Sequence, residues 1–186
     1  TTGSSNTFVG ANSGENNVDG SSNSFYGKYA GVRNVSGNEN NLFGAFSAQN
    51  LISGLQNSIF GGYSGSALKT GRFNVIVGHN SGNNVAKNEM TIIGTGADVA
   101  DSNLINATAI GAKAEVNSSN AMVLGSINGI NGATATVSVG IGTRRPLSRL
   151  DDSGSLGLGI RTINANTSLT IDDHTVIIVN TVGASA

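Results

Sequence analysis

Pairs of large apolar residues recur along the chain at a nearly constant distance, and a glycine follows each pair. In the first unit, Phe8 and Val9 precede Gly10. The full series of these glycines is Gly10, Gly27, Gly44, Gly61, Gly78, Gly94, Gly111, Gly125 and Gly140. Most intervals are 17 residues, one is 16, and the last two are 14 and 15. This period predicts a protein built from short repeated units.

Three further columns align with the repeat. Four residues before the first five glycines stand Asn6, Asn23, Asn40, Asn57 and Asn74. Four residues after them stand Gly14, Gly31, Ala48, Gly65 and Gly82, and seven residues before the second to fifth stand Gly20, Gly37, Gly54 and Gly71. Glycine supplies the positive φ angles that tight corners need, and asparagine tolerates the left-handed region. We therefore expect both residue types to form corners.

Each unit holds a strand of about five residues, such as NTFVG, which is too short and too mixed for a helix. A second, weaker strand is predicted where Val18, Val35 and Ile52 lie in register. Stacked units of this kind form an all-β solenoid, in which each rung completes the backbone hydrogen bonds of its neighbours.

The two residues of an apolar pair point to opposite faces of a strand. If Phe8 faces the interior of the coil, Val9 faces outward, and the same holds for Ile59 and Phe60. A thin coil also buries little apolar surface, which makes it marginally stable alone. The pattern therefore favours an oligomer of identical chains.

Two segments resemble known fibre proteins. The segment NATAIGAKAEVNSSNAMVLGS, residues 106–126, resembles the head repeats of trimeric autotransporter adhesins. The 17-residue units resemble those of bacteriophage tail fibres and related bacterial surface proteins, in which such arrays lead into VGIGTxxPxxxLxxxG. This chain has VSVGIGTRRPLSRLDDSG at 137–154, with Arg144 and Arg145 in place of a small polar pair and Asp152 where an apolar residue is commoner. The resemblance implies a β-roll packed as a homotrimer.

The predicted organisation has three parts. Residues 1–143 form the solenoid, with about nine rungs. Residues 144–160 form a neck that contains the single proline and a run rich in glycine and serine. Residues 161–186 form a small β element, which resembles a module near the distal ends of such fibres. Its apolar end, VIIVNTVGASA, is the kind of end expected where a native polypeptide continues.

Composition excludes several classes of function. Charged residues are 11% of the chain and the net charge is −1, so there is no electrostatic basis for binding nucleic acid. No apolar run reaches the ~18 residues of a membrane span, which predicts no membrane insertion. The chain has no cysteine and therefore no disulfide or thiolate metal site.

Residues for catalysis or metal binding are sparse. His79 falls at a drifting polar position and is expected in a solvated corner. Asp172 to His174 has the letters of a metal or acid–base site, but adjacent strand residues cannot all face one point, so a hairpin turn is expected. Asp151 and Asp152 are expected to pair with nearby arginines across chains. We predict no catalytic residue, no metal and no cofactor.

One repeat position carries three aromatic residues. Two residues after the repeat glycine stand Asn12, Tyr29, Phe46, Tyr63 and Asn80, and the next residue is always small. If the small side chain points inward, the aromatic rings point outward and stack one rung apart. The ladder has two interpretations: packing at a subunit contact, which the sequence favours, or a platform for sugars or another surface partner.

These patterns together predict a non-catalytic structural fibre segment, located on a virion or outside the cell. A virion tail fibre that positions or performs attachment to a host-surface glycan or protein ranks first. A bacterial surface adhesin or extracellular filament subunit ranks second. An ice-binding solenoid would need a regular threonine array, and a polysaccharide depolymerase would need carboxylates clustered between subunits; both rank lower.

Overall fold

The computed structural model describes residues 2–153, which lie within one compact unit, Thr1–Gly154. No helix occurs in this range. The strands are β1 (Thr7–Val9), β2 (Ser24–Tyr26), β3 (Asn41–Phe43), β4 (Ser58–Phe60), β5 (Val75–Val77), β6 (Thr91–Ile93), β7 (Asp98–Val99), β8 (Thr108–Ile110), β9 (Glu115–Val116), β10 (Met122–Leu124), β11 (Val139–Ile141) and β12 (Leu150–Asp152). The repeat strands have three residues, whereas about five were predicted.

Eight of these strands form one parallel sheet in the order β1-β2-β3-β4-β5-β6-β8-β10. Every strand pairs with its equivalent in the next repeat without slippage, so that Phe8 pairs with Phe25 and Leu42 with Ile59. Such in-register stacking of successive units makes a β-solenoid of about seven turns. The all-β solenoid predicted from the 17-residue period is thus confirmed.

The last rungs differ from the earlier ones. The strands β7 and β9 form a second parallel pair, at a repeat position that is a turn in the first four rungs and a bend in the fifth. The strand that contains Gly140, β11, pairs with β12 and not with the eight-stranded sheet. About nine rungs are predicted from the sequence, and eight of them have a strand in the main sheet. The predicted element 161–186 and residues 154–160 of the predicted neck lie outside the described residues.

The first residue of each apolar pair faces the hydrophobic core. Phe25, Leu42, Ile59, Ile76 and Ile92 are fully buried. The second residue points away from the coil, as the alternation of a strand requires. These second residues form one continuous column on the outside of the sheet, which we call the outer column: Val9, Tyr26, Phe43, Phe60, Val77, Ile93, Ile110 and Leu124.

The prediction that the repeat asparagines form corners is wrong. They form a hydrogen-bonded column inside the coil. Asn40 is fully buried. Its side-chain nitrogen, Nδ2, donates to Asn23 Oδ1 at 3.2 Å and to the carbonyl of Gly54 at 2.8 Å. Its own Oδ1 accepts from the amide nitrogen of Asn57 at 2.8 Å. Because the first five rungs repeat the same geometry, each side-chain amide from Asn6 to Asn74 bonds to the identical amide of a neighbouring rung.

The glycine columns serve two different purposes. Gly27 and Gly61 have φ of 138° and 145°, so the predicted positive φ after the apolar pair is confirmed. The column that includes Gly20 and Gly54 lacks positive φ, contrary to our prediction. Glycine is needed there for space, since a Cβ on Gly54 would lie 2.8 Å from the carbonyl oxygen of Gly71 in the next rung.

One column of residues with left-handed backbones contains no glycine and is not expected from the sequence. Its φ angles range from 49° to 62° at Ser5, Ser22, Glu39, Gln56, Phe73, Glu89, Asn106 and Asn120. At Phe73 this conformation directs the backbone N–H to the carbonyl of Leu55 on the preceding rung, at 3.0 Å. The second strand predicted around Val35 and Ile52 is absent. Those residues are exposed bends whose backbones still bond between rungs, Val35 N–H to Ile52 O at 2.8 Å.

Candidate functional site

The predicted aromatic column lies in the turn that follows the main sheet. Tyr29, Phe46 and Tyr63 all have left-handed backbones, with φ of 58°, 59° and 57°. The small residue after each is buried, as at Ala30 and Ser47, so each ring points away from the core as predicted. The left-handed turn also directs the N–H of Phe46 to the carbonyl of Lys28 on the preceding rung, at 2.8 Å. We call these three rings the turn ladder.

The rings of the turn ladder stack on one another. Their centroids lie 5.2 Å apart for Tyr29 and Phe46 and 4.8 Å apart for Phe46 and Tyr63, which confirms the predicted spacing of about 5 Å. His79, exposed as predicted, makes an edge contact with Tyr63 at 6.0 Å. Because stacked rings cover each other's faces, Phe46 presents mainly its edge to the outside.

A shallow groove of ≈ 420 Å³ runs beside two rings of the turn ladder. Tyr29 and Phe46 contribute to its lining together with Arg33, Gln49 and Asn50 from the turns of the second and third rungs. The groove therefore combines aromatic, cationic and amide groups. The rings were predicted from the sequence and the polar residues were not, although Arg33 and Asn50 occupy one column when the repeats are aligned.

The polar side chains at the groove are held by bonds between rungs. Arg33 Nη1 donates to Asn50 Oδ1 at 3.0 Å, and the amide nitrogen of Asn50 donates to the carbonyl of Ser66 at 2.8 Å. Lys28 Nζ lies 5.2 Å from the centroid of the Tyr29 ring and 6.0 Å from that of Phe46. Lys28 thus lies close to the rings, while Arg33 lines the groove itself, and an exposed guanidinium in such a groove can bind a small anion.

A second aromatic stack belongs to the outer column and was not singled out from the sequence. Tyr26 and Phe43 lie 4.7 Å apart, and Phe43 and Phe60 lie 4.9 Å apart, with nearly parallel planes. We call these three rings the sheet ladder. The outer column continues the sheet ladder with Val9 on one side and Val77 on the other, both partly exposed.

Asp98 is a buried carboxyl group with a shifted pKa. Burial raises the pKa of Asp98, and its neighbour Glu115 adds to this, while hydrogen bonds from the backbone N–H groups of Val99 and Asn84 oppose it. Those bonds are 2.8 Å and 3.1 Å long and occupy both carboxylate oxygens. Asp98 is thus engaged in holding two backbone segments together.

The other residues considered in the sequence are placed as follows. Asp151 accepts a hydrogen bond from the backbone N–H of Leu147 at 2.7 Å. The Asp172 to His174 segment lies outside the described residues. Within residues 2–153 no cluster of three or more His, Cys, Asp or Glu could hold a metal ion, and no helix is long and apolar enough to cross a bilayer. Comparisons with protein-family models, characterised proteins and solved structures found no match to this chain.

Proposed function

We propose that this chain is a non-catalytic, trimeric fibre segment, located on a virion or at a cell surface, that positions or performs attachment to a host-surface glycan or protein. A virion tail fibre accounts best for the repeat units and the VGIGTRRP segment at 139–146 taken together. A bacterial adhesin or extracellular filament, the second candidate, would use the same architecture. The solenoid supports this proposal because it is a regular coil whose length grows with each repeat.

The outer column is the observation on which the trimer rests. It is apolar on all eight strands of the main sheet, and Val9, Phe60 and Leu124 are 52%, 42% and 48% exposed in the single chain. Large contiguous apolar surfaces of this kind mark interaction sites. An apolar stripe parallel to the coil axis matches the same stripe on another copy of the chain, as association about a common axis requires.

The neighbouring column on the same face of the sheet bears on the ice-binding alternative. A flat ice-binding surface would need the same small hydroxylated residue on successive rungs. This column instead carries Thr7, Ser24, Asn41, Ser58, Val75, Thr91, Thr108 and Met122. The irregular chemistry favours a subunit contact over an ordered hydroxyl array.

Light scattering on the purified chain tests the proposal. We expect about three times the chain mass, 3 × 18.7 ≈ 56 kDa. Phe43→Arg, which introduces a charge into the outer column, should reduce the mass to that of one chain. Phe73→Arg is the matched control, because Phe73 is 46% exposed but has Gln56 and Glu89 as its column neighbours. A monomeric parent chain, or equal masses for the two variants, would contradict the trimer.

A further inference from the structure

We propose that the groove beside Tyr29 and Phe46 binds a single carboxylate-bearing sugar unit of a surface polysaccharide, with Arg33 contacting the carboxylate. This inference builds on the proposed role in surface attachment. It departs from the interpretation of the turn ladder as a subunit contact that the sequence favoured. The groove lies within one chain, so it can be tested separately from the oligomeric state.

The column of the turn ladder is unsuited to a continuous subunit contact. Its three rings are bounded by Asn12 and Asn80, and the column continues with Gly96 and Lys113. The loop after β10 also lies against that end, since the amide nitrogen of Asn131 donates to the carbonyl of Gly96 at 2.7 Å. A second copy laid along this column would meet polar residues and then the loop. The outer column has neither interruption.

The rings favour an anion over a neutral sugar stacked on an aromatic face. Both faces of Phe46 are covered, by Tyr29 at 5.2 Å and by Tyr63 at 4.8 Å. The accessible part of the ring is its edge, and the edge of an aromatic ring carries the positive part of its quadrupole. An oxygen-rich anion is therefore the complementary partner for this side of the ladder.

Arg33 supplies the specific contact. Its side chain is exposed and makes one hydrogen bond in the described part of the chain, to Asn50 Oδ1, and it has no carboxylate partner there. The remaining N–H groups of the guanidinium can donate two parallel bonds to a carboxylate. Among the described residues that line the groove, Arg33 is the charged one, so the site supplies a single positive charge. One charge suits a singly charged unit and is too small for a polyanion such as nucleic acid.

The amide groups fit the hydroxyl groups of a sugar. The Gln49 side chain makes no hydrogen bond to any residue in the range 2–153, so its donors and acceptor are available to a ligand. Asn16 is oriented by a bond from its amide nitrogen to the carbonyl of Val32 at 2.7 Å. The groove volume of ≈ 420 Å³ falls in the range of small-molecule sites. Together these groups point to one hydroxylated ring with a carboxylate.

Calorimetric titration of the full chain with glucuronic acid, N-acetylneuraminic acid, glucose and acetate tests the proposal. At least one of the two acidic sugars should bind at least tenfold more tightly than glucose or acetate, because only it offers both carboxylate and hydroxyl groups. Arg33→Gln should weaken that binding about tenfold or more, the usual effect of removing a charged hydrogen bond. Arg72→Gln is the control, since Arg72 is exposed and lies in a different column. Thermal melting should show both variants folded.

Three outcomes would overturn the proposal. They are equal binding of glucose and the acidic sugars, no binding of either acidic sugar at millimolar concentration, and equal effects of Arg33→Gln and Arg72→Gln. The oligomeric state separates this inference from the proposed function. A 56 kDa particle that does not bind an acidic sugar would contradict only the proposed sugar site. A monomer that binds the acidic sugar would contradict only the proposed trimer.

Discussion

The sheet ladder and the turn ladder are built on the same three rungs and have nearly the same spacing, but their surroundings differ. In the sheet ladder Tyr26, Phe43 and Phe60 lie on β-strands, and the column continues with apolar residues on both sides. In the turn ladder each ring stands on a left-handed residue, and Asn12 and Asn80 end the series. The first is one section of a long apolar stripe, and the second is a local patch.

The difference shows that stacking alone does not determine what an aromatic column does. The in-register coil places identical positions one rung apart wherever they lie, so rings stack in either column. The backbone and the column neighbours then decide the outcome. A strand face continued by valine and isoleucine makes an extended contact surface. A left-handed turn flanked by asparagine, glutamine and arginine makes a short mixed groove.

The largest effect is expected at the corner that separates the two ladders. Gly61 lies between Phe60 and Tyr63 with φ of 145°, and a Cβ there would overlap the carbonyl of Gly78. Gly61→Val should therefore prevent the coil from forming, since strain at positive φ adds to a clash with backbone. The same reasoning applies to Gly27→Val. Circular dichroism and thermal melting would show the loss.

The adjacent glycine provides the matched control. A Cβ on Gly62 would have its nearest neighbour, His79 Nδ1, at 3.4 Å, and Gly62 has no positive φ. Gly62→Val should leave both ladders in place. If Gly61→Val and Gly62→Val melted alike, the corner would not be the constraint that holds the two columns apart.

The inner asparagine column supports both ladders, and a change there should weaken them together. Asn57 donates to Asn40 Oδ1 and to the carbonyl of Gly71, and accepts from Asn74, with distances of 2.8 Å. Asn57→Leu leaves several buried groups unpaired, each costing about 1–3 kcal/mol, so we expect a loss of roughly 3 kcal/mol or more. Chemical unfolding would measure this. Asn128→Leu, at an exposed position, should cost little, and an equally small loss at Asn57 would contradict the role of the column.

The fold could be predicted from the sequence mainly because its period is visible. The glycine after each apolar pair recurs at fixed spacing, and its positive φ is a local property of that residue. The role of Asn40 could not be predicted in the same way, because asparagine suits a corner and an inner column equally well. Only the stacking of rungs decides between them. Phe73 has a left-handed backbone whose N–H bonds to the carbonyl of Leu55, and that partner lies on another rung, where the sequence alone does not place it.

The candidate site was predictable in part. Tyr29, Phe46 and Tyr63 stand out because aromatic residues are scarce and share one column. The groove lies between the column of these rings and the column that carries Arg33 and Asn50. A turn connects the two columns, and its conformation could not be predicted from the sequence. The effect of ending a polar column also depends on how the rungs stack. The Asn34 side-chain nitrogen donates to Asn17, but its buried Oδ1 has no partner among the described residues, since Leu51 occupies the next rung.

A pair of truncations should sharpen the contrast between the two backbones. At Phe46, with φ of 59°, glycine should be more stable than alanine by about 1 kcal/mol, because only glycine adopts this conformation without strain. At Phe43, on a strand, the order should reverse, with Phe43→Gly less stable than Phe43→Ala by about 0.5–1 kcal/mol. Denaturant unfolding of the four variants measures both differences. The same order at both positions would show that the left-handed turn does not distinguish the ladders.

The smallest expected effect comes from adding one ring to the end of each ladder. Val9→Tyr would place a ring one rung from Tyr26, and Asn12→Tyr would place one next to Tyr29, each gaining about 0.5–1.5 kcal/mol of stacking. On the strand the gain should remain, because valine and tyrosine both suit a β conformation. At residue 12, with φ of 56°, tyrosine replaces an asparagine that tolerates the left-handed region, so strain should cancel most of the gain. We therefore expect a higher melting temperature for Val9→Tyr and almost no change for Asn12→Tyr. A gain at residue 12 as large as that at residue 9 would mean that the turn ladder ends at Asn12 for a reason other than its backbone.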